Sequence, residues 1–243
     1  MKYHSPFLGI DYPLKNTEYS GGDSKELFEE NLKIMPDDWY YRDATIKYNY
    51  NSYGHRCAEL ADIDLDNYIL FAGCSHTEGL GLELEKTYPH LLAEQLNTDY
   101  YNLGLSAVGL DLIEYNLISW FLNITKKPKL VVIQWPDHSR FASLYPDCEN
   151  LIEQGSWTDE KSASSFVVSA ENTGFFNARK KITRQLLMNI IDVPVCEIHF
   201  NDHADYSKEC VWLKRIDYAR DLCHAGIESH KSTTRQIVEH LNR

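Results

Sequence analysis

The 243-residue sequence has no apolar run long enough to cross a bilayer. Its most apolar stretch, 108–124, is interrupted by Asp111, Glu114 and Asn116. The start of the chain, MKYHSPFLGIDYPLK, lacks a signal-peptide core, so a cytoplasmic location is expected, with a virion left open if the chain is phage-encoded. The six cysteines, at 57, 74, 148, 196, 210 and 223, include no C-x-x-C pair. That removes support for a zinc ribbon or a thioredoxin-like centre. Without export, they read as small buried hydrophobes rather than disulfides. Positive charge is scarce as well: 24 Lys and Arg face 36 Asp and Glu, a net charge of −12. Neither nucleic acid nor an anionic membrane is therefore expected as the main partner, because both require phosphate-neutralising cations. No internal repeat and no linker divides the chain.

What is present is an ordinary globular composition, 43% hydrophobic and 25% charged. A chain this long buries about 70–75% of its unfolded surface without needing a staple. Residues 1–50 carry breakers and no sustained period, and are expected as an irregular lead-in with a short helix near 25–34. Residues 51–243 are expected as one domain, with a loop-rich excursion at 142–176. Strands are expected at 68–72, 99–103, 129–135 and 194–200, and helices at 85–97, 109–124, 178–191 and 227–242. Short apolar strands alternating with helices imply a mainly parallel sheet covered on both faces, a three-layer α/β/α sandwich.

In such sheets functional groups gather beyond the carboxyl ends of the strands. After the first comes Gly73-Cys74-Ser75-His76-Thr77-Glu78-Gly79, and after the second Asn102-Leu103-Gly104-Leu105-Ser106-Ala107. After the third comes Trp135-Pro136-Asp137-His138-Ser139-Arg140, and shortly before the last helix Asp221-Leu222-Cys223-His224-Ala225-Gly226. Ser75 supplies a nucleophile, His224 a base and Asp221 an orienting carboxylate. Three residues apart on one turn, Asp221 can hold one imidazole nitrogen while the other faces the cleft. The serine segment is not the G-x-S-x-G elbow, since Thr77 occupies the last glycine position.

The stretch from Gly73 to Gly79 resembles the first block, G-D-S-x-T-x-G, of the SGNH/GDSL hydrolase family, and Asp221 to Gly226 resembles its last block, D-x-x-H-P-G. Asn102 to Ala107 is similar to the second block, and Asn51-Ser52-Tyr53-Gly54-His55-Arg56 to a lead-in found in many uncharacterised members. The resemblance implies the family's flavodoxin-like fold and a serine esterase without metal or organic cofactor. It assigns Ser75 as nucleophile, His224 as base, Asp221 as its partner, and the N–H groups of Ser75 and Ala107 as oxyanion donors. It breaks at the third block, where Pro136 stands in place of an asparagine donor. His138, Ser139 or Arg140 is then needed as a substitute, Arg140 being preferred because it is always charged. The substrate implied is a small molecule or carbohydrate bearing an O-acyl group, such as an acetyl ester. The alternative is a non-catalytic descendant of the fold serving as a binding or assembly module. The choice between hydrolase and acyltransferase, the acyl group and the oligomeric state stay open.

Other residues have plainer readings. His76 is expected to point away from the site and Cys74 to be packed rather than reactive. His199 and His203 have metal-ligand spacing only on a helix, and this segment leaves a strand for a polar loop. Trp135 and Phe141 read as core more readily than as pocket, and His230 as a packing or capping residue.

Overall fold

The structure is a computed structural model that describes residues 2–10, 16–136, 140–144, 151–154, 170–200 and 211–243. The chain begins with a hairpin of β1 (Lys2–His4) and β2 (Phe7–Gly9), followed by β3 (Asn16–Thr17), α1 (Lys25–Ile34) and β4 (Tyr48–Asn49). Next come β5 (Tyr68–Ala72), the single turn α2 (Ser75–Glu78), α3 (Tyr88–Leu96), β6 (Asp99–Asn102), α4 (Leu110–Asn123) and β7 (Leu130–Gln134). A small antiparallel pair, β8 (Phe141–Leu144) and β9 (Leu151–Gln154), precedes α5 (Ala170–Ile190), β10 (Val195–Phe200), β11 (Val211–Leu213) and α6 (Ile227–Leu241).

The central sheet has five parallel strands in the order β11-β10-β7-β5-β6. Counted by sequence within the sheet this is 2-1-3-4-5, the flavodoxin-like doubly wound order. The sheet is an α/β sandwich of the expected kind. Residues of β5 alternate between two cores, as the period of a strand requires. Tyr68, Leu70 and Ala72 join Leu117 and Trp120 of α4 and Leu187 of α5. Ile69 and Phe71 join Tyr88 and Leu92 of α3 and Ile237 of α6. Each such aliphatic or aromatic side chain contributes roughly 1.5–3 kcal/mol on burial.

The first fifty residues hold more regular structure than their pattern implies. Ser24 caps α1 by accepting from the Leu27 N–H at 3.1 Å. Phe7 is buried and stacks on Trp120 with ring centroids 5.5 Å apart. The backbone of Leu8 is held by a side chain rather than a strand: Asn116 accepts its N–H and donates to its carbonyl, both at 2.9 Å. His55 also bonds the Leu8 carbonyl through Nε2, at 3.0 Å, while Nδ1 meets the Tyr101 hydroxyl. Burial lowers the His55 pKa to about 4, so the imidazole is neutral. Within 142–176, the described pieces are the β8–β9 pair and the start of α5. Helix α5 begins eight residues before the expected position, and β11 was not expected at all.

Candidate active site

The switch point of this strand order lies between β5 and β7, where the chain leaves in opposite directions. Ser75 is the first residue of α2, three residues beyond β5. The N–H groups at the start of a helical turn have no acceptor within it, so that of Ser75 is available to a ligand oxygen. The turn is pinned from below by Gln134, the last residue of β7. Gln134 Oε1 accepts from Cys74 N at 3.1 Å, Cys74 Sγ at 2.9 Å and Thr77 Oγ1 at 3.3 Å, while its amide donates to the Trp135 carbonyl at 2.7 Å. Cys74 is thus packed, as expected. Gln134 was missed from the sequence, although a polar residue closing an apolar strand is a signal of such a role.

Ser75, His224 and Asp221 are brought together across 149 residues of chain. Ser75 Oγ lies 2.8 Å from His224 Nε2. Asp221 Oδ2 bonds His224 Nδ1, and Oδ1 accepts the N–H groups of Cys223 and His224 at 3.0 and 2.9 Å. A carboxylate only accepts, so Nδ1 carries a proton, and in the neutral imidazole Nε2 is then the nitrogen whose lone pair faces the serine hydroxyl. Burial, the largest single influence on Asp221, pushes its pKa up. It is outweighed by the hydrogen bond and charge of His224 and by the two N–H groups, and the net shift is downward.

Close packing sets the relation between these two segments. Gly81, just after α2, has φ +77°, and a Cβ there would lie 2.7 Å from Ala219 Cβ and 3.5 Å from Asp221 Oδ1. Its carbonyl accepts the Arg220 N–H at 3.1 Å. The Arg220 side chain reaches into the N-terminal segment and forms a buried ion pair with Asp23. Neither this pair nor its consequence for the Asp221 loop is legible in local sequence.

His76 corrects an expectation. It does point away from Ser75, since neighbouring residues of a helical turn diverge by about 100°. The Asp221–His224 loop wraps over the turn, however, and the His76 and His224 rings meet edge to face at 5.0 Å. The Ala225 N–H approaches His76 Nδ1 at 3.4 Å. Burial first, then the charges of His224, His230, Arg140 and Arg215, holds His76 well below the usual imidazole range. Cys223 is a second correction: it is exposed rather than buried. His230 accepts the Tyr88 N–H at 2.9 Å, capping the start of α3, and burial lowers its pKa to about 3.

Ala107 adopts φ +67°, the left-handed conformation that a glycine takes without cost. It is half-buried in the loop between β6 and α4, whose Leu105 N–H bonds the Gly73 carbonyl at 3.1 Å. Arg140 is half-buried, its backbone carbonyl packs against Gly109 at the start of α4, and its charge acts on both His76 and Cys223. Asp137, His138 and Ser139 lie outside the described residues, as do His203 and the side chain of Phe141. Trp135 is buried in the core and donates to Glu197 at 3.3 Å. His199 is buried beside Glu197 and Trp212. Among the described residues, no three His, Cys, Asp or Glu side chains converge as a metal site requires, and no helix is long and apolar enough to cross a membrane.

No family model matches the chain, and no curated protein matches it. Among solved structures it is similar to an acetyl xylan esterase from the rumen bacterium Butyrivibrio proteoclasticus, at 13% identity and a TM-score of 0.48, over 72% of this chain and 63% of that one. This chain therefore spans less than two thirds of that protein's length. It is also similar to a carbohydrate esterase family 2 enzyme with a carbohydrate-binding domain from Corynascus thermopiles (Myceliophthora fergusii), at 16% identity and a TM-score of 0.47, covering 73% and 67% of the two chains. A member of the lipolytic G-D-S-L family from Veillonella parvula aligns at 10% identity and a TM-score of 0.44, over 72% and 98%. The architecture of this chain is given by its own strand order: a flavodoxin-like α/β sandwich with Ser75 at the switch point.

Proposed function

We propose that the protein is a serine ester hydrolase of the SGNH type, acting through a covalent acyl-enzyme on a small O-acyl ester of a small molecule or carbohydrate. The observation carrying this reading is the 2.8 Å contact between Ser75 Oγ and His224 Nε2, with Asp221 bonded behind the imidazole. Nucleophile, base and carboxylate lie in hydrogen-bond sequence, the geometry that proton transfer from Ser75 to His224 requires.

In the first half-reaction Ser75 Oγ attacks the ester carbonyl carbon as its proton passes to His224 Nε2. The tetrahedral oxyanion is stabilised by the N–H groups of Ser75 and Ala107, with the Arg140 guanidinium as third donor in place of the side-chain donor that Pro136 lacks. The imidazolium, steadied by Asp221, gives its proton to the departing alcohol oxygen, leaving the acyl group on Ser75. Water then attacks the acyl carbon, losing a proton to His224. Collapse returns that proton to Ser75 Oγ and releases the carboxylic acid. Each oxyanion donor of this kind contributes about 10²–10³ in rate, and a positioned base about 10²–10⁴.

A non-catalytic binding or assembly module is the competing reading, and Pro136 is the residue that favours it. The short Ser75–His224 contact weighs against it, because a lapsed site has no reason to keep that geometry. Hydrolysis of p-nitrophenyl acetate by the wild type, compared with Ser75→Ala and His224→Ala, separates the two. The hydrolase reading expects turnover that both substitutions abolish; turnover that survives Ser75→Ala, or none in the wild type, favours the module.

A further inference from the structure

Next to the proposed oxyanion site lies a buried polar chain that the triad does not use. Glu78 is the last residue of the α2 turn that Ser75 begins, and it is 1% exposed. Its Oε1 accepts from the Tyr50 hydroxyl at 2.5 Å, and its Oε2 accepts from Ser106 Oγ. Tyr50 is met in turn by Ser20 Oγ at 3.0 Å. Because the Tyr50 hydroxyl donates to Glu78, Ser20 must donate to Tyr50, and the chain runs Ser20 to Tyr50 to Glu78, with Ser106 entering from the other side.

Ser106 immediately precedes Ala107, and that adjacency gives the chain its meaning. The loop after β6 is tethered to the nucleophile turn by Asn102 Nδ2 on the Thr77 carbonyl at 2.8 Å, and by Leu105 N on the Gly73 carbonyl at 3.1 Å. Those tethers stop two residues short of Ala107. The next link toward it is the bond between Ser106 and Glu78. An alanine left to itself drifts out of the left-handed region, so something beside it must hold its peptide in place.

We propose that Glu78 and Ser106 are a positioning pair that fixes the Ala107 N–H against the oxyanion, with Tyr50 of the N-terminal segment holding the carboxylate. The proposal rests on the hydrolase reading for its catalytic meaning, though not for its geometry. One helical turn then sets both donors: Ser75 at its start carries one N–H, and Glu78 at its end places the other.

The test uses the full chain with Ser106→Ala and Ser106→Thr. Two readouts are taken: the amide resonance of Ala107 in alanine-labelled protein, with Ala72 as internal control, and kcat and KM for p-nitrophenyl acetate. In Ser106→Ala the Ala107 amide is expected to move while Ala72 stays, and kcat to fall roughly tenfold or more with KM within about twofold, part of the 10²–10³ that losing a donor costs. Ser106→Thr, which keeps the hydroxyl, is expected to recover most of that loss. If Ser106→Ala does not fold, Glu78→Gln, which keeps only one acceptor oxygen, carries the same expectation. An unmoved Ala107 amide overturns the proposal whatever the activity, as does a moved amide with unchanged kcat. A moved amide in a protein whose wild type has no turnover supports the positioning and defeats the hydrolase reading instead.

Discussion

The buried pair of Arg220 and Asp23 joins the N-terminal segment to the loop carrying Asp221 and His224, and its removal should be felt throughout the molecule. Their side chains are 3% and 1% exposed. Arg220 Nε donates to both Asp23 oxygens, at 2.9 and 3.2 Å, and Nη2 donates to Asp23 Oδ2 at 2.7 Å and to the Glu18 carbonyl at 2.5 Å. The guanidinium also lies over the Tyr19 and Phe28 rings, 4.7 and 5.2 Å from their centroids. On the far side, Tyr48 donates to Asp23 Oδ2 at 2.5 Å. Asp23→Ala would leave a guanidinium in a dry site with a carbonyl and two rings for company. Breaking a buried pair in this way costs about 3–5 kcal/mol. For a chain of this size each kcal/mol lowers Tm by about 2–4 °C, so a fall of about 6–20 °C is expected. Urea unfolding followed by circular dichroism measures the free energy directly. The paired change Asp23→Leu with Arg220→Met, which removes both charges, should cost much less than the sum of the two single substitutions. A loss below about 1 kcal/mol in Asp23→Ala would show that Arg220 does not depend on Asp23, water or another anion already compensating it.

Three further outcomes follow from the same geometry. Ala107→Gly removes a left-handed penalty of about 1–2 kcal/mol and adds about 0.4–1 kcal/mol of unfolded-state entropy, so urea unfolding should show unchanged or slightly raised stability; a clear loss would show that Ala107 is not strained. His55 and His230, lowered to about 4 and about 3, and His76, also lowered, are all neutral in the fold. Between the ordinary value near 6.5 and those folded values, the unfolded chain binds more protons. The stability that these residues contribute is therefore complete above about pH 6.5 and lost as pH falls, by about 1.4 kcal/mol per pH unit for each histidine. Unfolding free energies measured from pH 7 to 5 should fall accordingly, and a flat profile would contradict the burial argument. Asp221→Asn should lower kcat for p-nitrophenyl acetate by about 10⁴ with little change in KM, through loss of the imidazole tautomer that the carboxylate fixes; a drop below tenfold would remove Asp221 from its role.

Local pattern and long-range contact divide what could be read from the sequence. Strands β5 and β7 were legible because YILFA and LVVIQ are short apolar runs between breakers, and a strand buried on both faces needs nothing else. The last helix was legible from its spacing. The early start of α5 was not, because Ala170, Glu171, Asn172, Thr173 and Gly174 carry no apolar stripe and include a glycine. Strand β11 is three residues long and becomes a strand only by pairing with β10. Ser75, Asp221 and His224 could be found because each sits in a short motif at a strand or helix end. Gln134 left only the weak sign of a polar residue closing an apolar strand; Arg220 and the contact of His76 with His224 left none, since their partners come from other segments of the chain. The ion pair of Asp23 with Arg220 spans 197 residues, and no period in either segment announces it.

The proposed activation of Ser75 by His224 is probed by treating the protein with a fluorophosphonate and mapping the adduct by peptide mass spectrometry. One adduct is expected, on the peptide containing Ser75, absent from Ser75→Ala and strongly slowed in His224→Ala. An unmodified protein, or an adduct of equal yield on another residue, would contradict it.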